Sequence, residues 1–146
     1  MSDYEVVELT ADATHPLRLA VLRFDTLTKE VVFPEDTLPG TLHLGLHVGG
    51  ELVATSTWVP REHDGQPAMQ LRGMATARHL QSSGLGGMLL QAGCARCAEA
   101  GVALVWANAR DSALGFYRRH GFEVVGDGFI DANTELPHHR VVRSLR

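Results

Sequence analysis

The sequence predicts a mixed α/β fold built on one sheet, and three observations carry that prediction. Residues 41–48 alternate strictly: Leu42, Leu44, Leu46 and Val48 share one face, His43, Gly45 and His47 the other. Gly49-Gly50 follows as a two-residue hairpin turn. Residues 85–100 carry Met88, Leu89, Ala92 and Ala95 at helical spacing and stop at Gly101, while residues 102–107 are a continuous apolar run suited to a buried strand. Hairpin strands together with helices between strands specify a mixed sheet rather than a bundle or a sandwich.

The elements follow in order. Residues 4–9, rich in Val and Glu, form a short first strand. Thr14-His15-Pro16 opens a helix with proline at its first position, and Leu17, Ala20, Val21 and Phe24 extend its apolar face to about residue 27. Prolines punctuate the loop over residues 33–40. Strand 41–48 is answered by strand 51–59; residues 60–67 are a polar loop and 68–76 another strand. Residues 77–83 connect to Gly84 and the helix at 85–100. A short helix over 111–120 closes at Gly121, and residues 122–125 and 140–145 are the last strands. No repeat or linker interrupts the 146 residues, so residues 1–146 are expected to form a single domain.

Composition narrows the function classes. With 45% hydrophobic and 21% charged residues, the chain can bury a core and is not a disordered tail. A net charge of -4 argues against a general nucleic-acid binder, which needs a basic surface. The start, Met1-Ser2-Asp3-Tyr4-Glu5, lacks a basic and apolar leader, and no apolar run approaches the roughly 20 residues that span a bilayer. The expectation is a cytoplasmic protein whose partners are small molecules or short peptides, not nucleic acid or membrane; a homodimer stays open.

The stretch that carries chemistry is Gln70-Leu71-Arg72-Gly73-Met74-Ala75-Thr76, followed by Gln81-Ser82-Ser83-Gly84-Leu85-Gly86-Gly87. A strand leads through a short loop into glycines at the mouth of a helix. The first amides of a helix have no intrahelical partners, and the helix dipole favours negative charge there. Gly84 and Gly86 would let the main chain approach a phosphate closely. The lysine of a P-loop and the spacing of a Rossmann fingerprint are both missing. A plain tight turn is the competing reading of these glycines.

Gln81-x-x-Gly84-x-Gly86 resembles the acyl-CoA signature of the GNAT N-acetyltransferase superfamily. Gly73-Met74-Ala75-Thr76 resembles the end of that family's fourth strand. Gly115-Phe116-Tyr117-Arg118-Arg119-His120-Gly121-Phe122 is similar to its tyrosine followed by Gly-Phe. More loosely, Leu136-Pro137-His138 is similar to the ElaA-like branch. The resemblance implies a mixed central sheet of six or seven strands flanked by helices, with the fourth and fifth strands splayed. It implies an acyltransferase that moves acetyl from acetyl-CoA, its co-substrate, to a primary amine of a small molecule or peptide, with no metal. Met74, Ala75 and Thr76 would meet the pantetheine arm. Gln81, Ser82, Ser83, Gly84, Leu85, Gly86 and Gly87 would hold the pyrophosphate, with Asn108 and Arg110 as further CoA contacts. An amide at or beside Met74 would stabilise the oxyanion, and Tyr117 would protonate the departing thiolate.

The family pattern breaks at the base. A glutamate of many members is here Gln70, whose amide has no useful proton affinity, and a second base position is Val105. Glu62, His63, Asp111, His138 or a water chain remain. An asparagine seven residues before the tyrosine is here Arg110, which would bind a CoA phosphate, pair with Asp111 or face solvent.

The other polar residues read as structural. His43 and His47 lie roughly 13 Å apart along a strand, too far to share an ion, and His138 and His139 face opposite ways. His15, His63 and His79 read as solvated. Cys94 and Cys97 fall in mid-helix, where packing rather than redox chemistry is expected. Trp106 reads as core, whereas Trp58 is core or lines the acceptor pocket. Arg118-Arg119-His120, Arg140, Arg143 and Arg146 read as surface. The loop acids Glu35 and Asp36 either solvate the loop or attract a polyamine-like acceptor. Against acetyl transfer stand a CoA-binding sensor without turnover, which Gln70 favours, and a nucleotide-phosphate binder.

Overall fold

The computed structural model describes residues 3–146; Met1 and Ser2, part of the stretch read above for a leader, lie outside the described residues. Seven strands form one sheet: β1 (Tyr4–Glu8), β2 (Leu42–Val48), β3 (Glu51–Pro60), β4 (Met69–Thr76), β5 (Leu104–Arg110), β6 (Glu123–Ile130) and β7 (Pro137–Ser144), in the order β1-β2-β3-β4-β5-β7-β6. Every neighbouring pair is antiparallel except β4 and β5, which are parallel. The helices are α1 (His15–Leu17), α2 (Leu85–Glu99) and α3 (Leu114–Arg119). No helix among the described residues is long and apolar enough to cross a membrane.

One face of the sheet carries α2. Leu44 and Leu46 of β2, Trp58 of β3 and Val105 of β5 join Leu89, Leu90, Cys94 and Cys97 of α2 in a single buried cluster. Trp58 is fully buried, and a Cβ at Gly93 would sit 1.9 Å from its ring, so that glycine seats the indole. Trp58 is therefore core and does not line a pocket. Both cysteines are buried and unpaired with each other, in line with packing.

The opposite face is polar, as the alternation in residues 41–48 places His43 there, but it is also buried, which the alternation did not announce. His43 is 7% exposed; its Nδ1 lies 2.8 Å from Thr57 Oγ1 and its Nε2 lies 3.0 Å from the Asp36 carbonyl. Arg18 enters the same layer from the N-terminal helical run. The expected helix over residues 16–27 is in fact a 3-10 turn (Ala11–Thr14), α1, and a π-helical turn (Arg18–Leu22). Phe24, counted in its apolar face, is 54% exposed, and Leu27, at its expected end, is 91% exposed, while the polar Thr14 and Arg18 are buried.

Two other boundaries moved. The strand expected at 102–107 runs Leu104–Arg110, because β7 pairs with it from Leu104↔Ser144 to Arg110↔His138. The strands expected at 122–125 and 140–145 belong to the longer hairpin β6–β7. Gly126, Gly128 and a register shift between Val125 and Phe129 hid its length. Asp131 builds its connection: Oδ2 accepts from the amides of Asn133 and Thr134 at 3.1 and 2.9 Å and from the Thr134 hydroxyl at 3.0 Å. This turn carries Asp131 and His138 over the end of β5.

Candidate active site

The parallel pairing of β4 and β5 is recorded at only two positions, Met69↔Val105 and Gln70↔Trp106; the rest of both strands diverges. In the same stretch β4 bulges against β3. Thr55 pairs with Ala75 and Thr57 with Arg72, so Gly73 and Met74 have no Cα partner. Gly73 sits at φ +61°, a left-handed value glycine adopts freely. The bulge turns the Gly73–Met74 backbone toward the gap between the strands.

Two concavities meet at this gap. A groove of about 910 Å³ runs along the start of α2, lined by Thr76, Gln81, Ser82, Gly84, Gly86 and Gly87. Gly84 holds φ +89° as the residue that enters the helix. The first helical bond recorded is Met88 N to Gly84 O at 3.1 Å, and no side chain caps the amides before it. Gln81 Nε2 donates to Thr76 O at 3.1 Å and ties the loop to the end of β4. Gly86 has a second reason to be glycine: a Cβ there would lie 2.8 Å from Thr76 Oγ1. Arg78 and Arg119 add positive charge to this groove, and His120 also lines it. Arg78 covers the exposed Phe24 ring at 3.8 Å. Arg119 and His120, read from sequence as plain surface, are thus groove residues.

A second cavity of about 310 Å³ lies on the polar face, lined by Gln70, Arg72, Asn108, Asp131 and His138 among others. Leu22, Met74, Arg110, Ala113 and Tyr117 line both concavities. Tyr117 is 6% exposed, its ring held edge-on by Phe116 and Phe122 at 5.3 Å each. Its hydroxyl makes no hydrogen bond among the described residues. Burial first, then the neighbouring Cys94, raises the phenol above its ordinary pKa, so it stays protonated and able to donate.

The family model described as the acetyltransferase (GNAT) family matches residues 9–122. The chain belongs to the GNAT family. An uncharacterized N-acetyltransferase, YitI of Bacillus subtilis strain 168, is 30% identical over 131 residues, 86% of each chain. FeeM, an N-acyl amino acid synthase from uncultured soil microbes, shares the fold at TM-score 0.83 with 13% identity, over 99% of this chain and 92% of that one. Escherichia coli ElaA shares it at TM-score 0.77 with 18% identity, over 98% and 99%.

Of the CoA contacts named from sequence, Ala75, Ser83 and Leu85 line neither concavity, Ala75 and Leu85 being buried in the core; the others line one or the other. Met74, Thr76, Gln81, Ser82, Gly84, Gly86, Gly87 and Arg110 line the groove. Asn108 lines the polar cavity instead, where its Oδ1 accepts from Arg140 Nε at 3.2 Å. Arg110 pairs with Asp25 at 3.2 Å and donates to the Leu22 carbonyl, neither of which the sequence pointed to. Gln70 is buried and its Oε1 accepts from Arg61 Nη1 at 2.7 Å. Of the base candidates, Asp111 is engaged by His139 at 2.7 Å, and Glu62 is exposed. His63 packs beside Trp106, ring centroids 6.0 Å apart, rather than standing in solvent. His138 alone among them lines the cavity.

The loop acids are spent internally. Arg18 Nη1 and Nη2 grip Asp36 at 2.7 and 2.9 Å, and Nη2 reaches Thr57 Oγ1 at 2.8 Å. Glu35 pairs with Arg72, and with Arg61 at 3.6 Å. Burial alone would raise the Asp36 carboxyl; hydrogen bonds from Arg18 and the Phe33 amide, with the Arg18 charge, more than offset this and hold it below the usual carboxylate range. Neither acid is available to attract a polyamine.

Proposed function

We propose that the chain transfers an acyl group, acetyl by preference, from a CoA thioester to a primary amine. The family uses an acyl-CoA and an amine acceptor. The observation that carries the reading is the meeting of two unlike concavities at Met74 and Tyr117, through the gap between β4 and β5. The α2 amides and Arg78 suit a pyrophosphate. The main chain of β4 would run beside the pantetheine arm. Met74, out of register with β3, would donate its amide to the thioester oxygen. Tyr117 donates its phenolic proton to the departing sulfur.

His138 is the base in this reading. Its Nδ1 lies 2.9 Å from the Leu136 carbonyl, which can only accept, so in the neutral ring Nδ1 carries the hydrogen. Nε2 then keeps its lone pair, makes no hydrogen bond among the described residues, and belongs to a residue that lines the cavity. The base that the sequence left open is thus supplied by β7, far along the chain.

The test is thiol release from acetyl-CoA across an amine panel, beside direct CoA binding. Tyr117→Phe should lower turnover on the order of 10-fold to 10³-fold with affinity for acetyl-CoA nearly unchanged. His138→Gln should lower kcat/KM about 10²-fold with affinity for acetyl-CoA nearly unchanged. CoA binding with no thiol release from any amine would favour the sensor reading.

A further inference from the structure

The acceptor-side cavity has a charge pattern that selects among amines. Four guanidiniums line it: Arg23, Arg61, Arg72 and Arg110. Three carboxylates stand against them. Glu35 engages Arg72 and Arg61, Asp25 engages Arg110, and Asp131 lines the wall. By count one positive charge is left over; Glu35 is shared by Arg61 and Arg72, and Arg23 alone of the four has no carboxylate partner among the described residues. Arg23 is 8% exposed, yet no carboxylate pairs with it among the described residues. Its Nε donates to the Glu30 carbonyl at 2.8 Å and its Nη1 reaches the Leu22 carbonyl at 3.4 Å. No hydrogen bond is recorded from Nη2. The Arg23 guanidinium thus has only neutral hydrogen-bond partners, and its unused donor edge is accessible on the wall of the cavity, where an anion would complete it.

We propose that the acceptor is an amine carrying a carboxylate, of free amino acid size, and that Arg23 is the residue that binds the carboxylate. This rests on the acyl-transfer reading above. The surplus of a single positive charge matches a monoanion better than a phosphate dianion. The opposite sign is also provided for. Asp131 and His138 share the cavity with Arg23, so an incoming ammonium meets a carboxylate and a base at the other end of the same space. Asp131 is held low: burial raises its carboxyl, but the hydrogen bonds it accepts from Thr134 and Asn133 outweigh that. Burial first, then the Arg110 charge, pulls the Arg23 guanidinium below its ordinary pKa against the opposing pull of Asp131, and a bound anion would favour its charged form. The volume of about 310 Å³ lies at the small end of ligand pockets, which fits one amino acid rather than an aminoglycoside.

The experiment compares L-amino acids with their carboxamides and with the corresponding decarboxylated amines, using acetyl-CoA and thiol release. Binding of each compound to the CoA complex is measured in parallel by calorimetry. Acids should exceed their amides on the order of 10²-fold in kcat/KM, chiefly through KM. In Arg23→Gln that preference should fall at least about tenfold, and Arg23→Lys should restore part of it. CoA binding serves as the folding check. Should Arg23→Gln not fold, the acid-to-amide ratio of the wild-type protein still decides. Amides or simple amines that match the acids would overturn the proposal. So would 2-aminoethyl phosphate outperforming β-alanine. Selective binding of acids without thiol release would support the subsite while sinking acyl transfer; thiol release with no acid preference would do the reverse.

Discussion

The groove at the start of α2 and the cavity on the polar face differ in how they are built. The groove is made of main chain: amides without partners, a left-handed glycine, and two further glycines with no room for a Cβ. The cavity is made of side chains tied across the sequence: on its wall Arg110 pairs with Asp25, 85 residues away, and Asn108 with Arg140, 32 away. A main-chain site tolerates few residue types and so leaves a local signature. A site assembled from distant guanidiniums and carboxylates leaves none, because each member alone reads as a solvated charge. In the proposed transfer the donor end would be held by backbone geometry, and the acceptor end by a buried charge balance that changes with single substitutions.

The contrast can be broken hardest at Asp36. Asp36→Asn leaves the Arg18 guanidinium buried with a neutral partner, and breaking such a pair costs about 3–5 kcal/mol. Denaturant unfolding at neutral pH should show that loss. The folded-state carboxyl is held low, so its contribution is present above the ordinary carboxylate pKa and lost as pH falls through the folded value. Wild type should therefore lose stability below about pH 4, while the variant should lack this part of the slope.

On the groove side, Gly84→Asp and Gly84→Asn differ in charge alone, and both residues accept a left-handed backbone. With acetyl-CoA at 100 times the wild-type Kd, wild type should gain about 2.7 kcal/mol of stability. Asn should keep much of that gain, and Asp should lose nearly all of it. Equal losses would assign the glycine to its backbone conformation rather than to phosphate. Gly86 is the weaker probe, since a side chain there meets Thr76 before it meets any ligand.

The third test lies beneath both sites. Burial, with Cys94 adding to it, pushes the Cys97 thiol up to about 11. A raised acid stabilises the fold fully below its ordinary value and loses that contribution as pH rises toward the folded one. Between about pH 8 and pH 11, wild type should lose roughly 2 kcal/mol more than Cys97→Ala in paired unfolding curves. The smallest effect belongs to Gln70→Ala. Turnover should change well under 10²-fold, since the amide only receives Arg61. A large pH-dependent loss would return position 70 to the proton path.

Much of the architecture was legible because it is periodic. The β2–β3 hairpin and α2 fell within a residue or so of the expectation, and so did the glycine that ends α2. The first helix was misread because its inward face is polar: Arg18 and Thr14 occupy positions where periodicity expects apolar residues, and Phe24 points to the groove. The choice among the base candidates was illegible for another reason. The sequence offered His138 only beside Glu62, His63, Asp111 and water, and its place on the cavity wall arises only when the Asp131 turn folds β7 over the end of β5. Arg23 was passed over for the same reason, as one arginine among thirteen basic residues.

Trp58 and Gly93 have a consequence for length. With the indole filling the space where a Cβ would stand, α2 can neither slide nor roll on the sheet without a collision. Thr76 against Gly86 fixes the same helix a second time, two turns nearer its start. Two fixed points on one rigid rod set the span from the α2 amides to the Gly73–Met74 bulge. The groove therefore works as a gauge: a ligand that must touch both ends is measured by its reach, and one too short can satisfy only one end at a time.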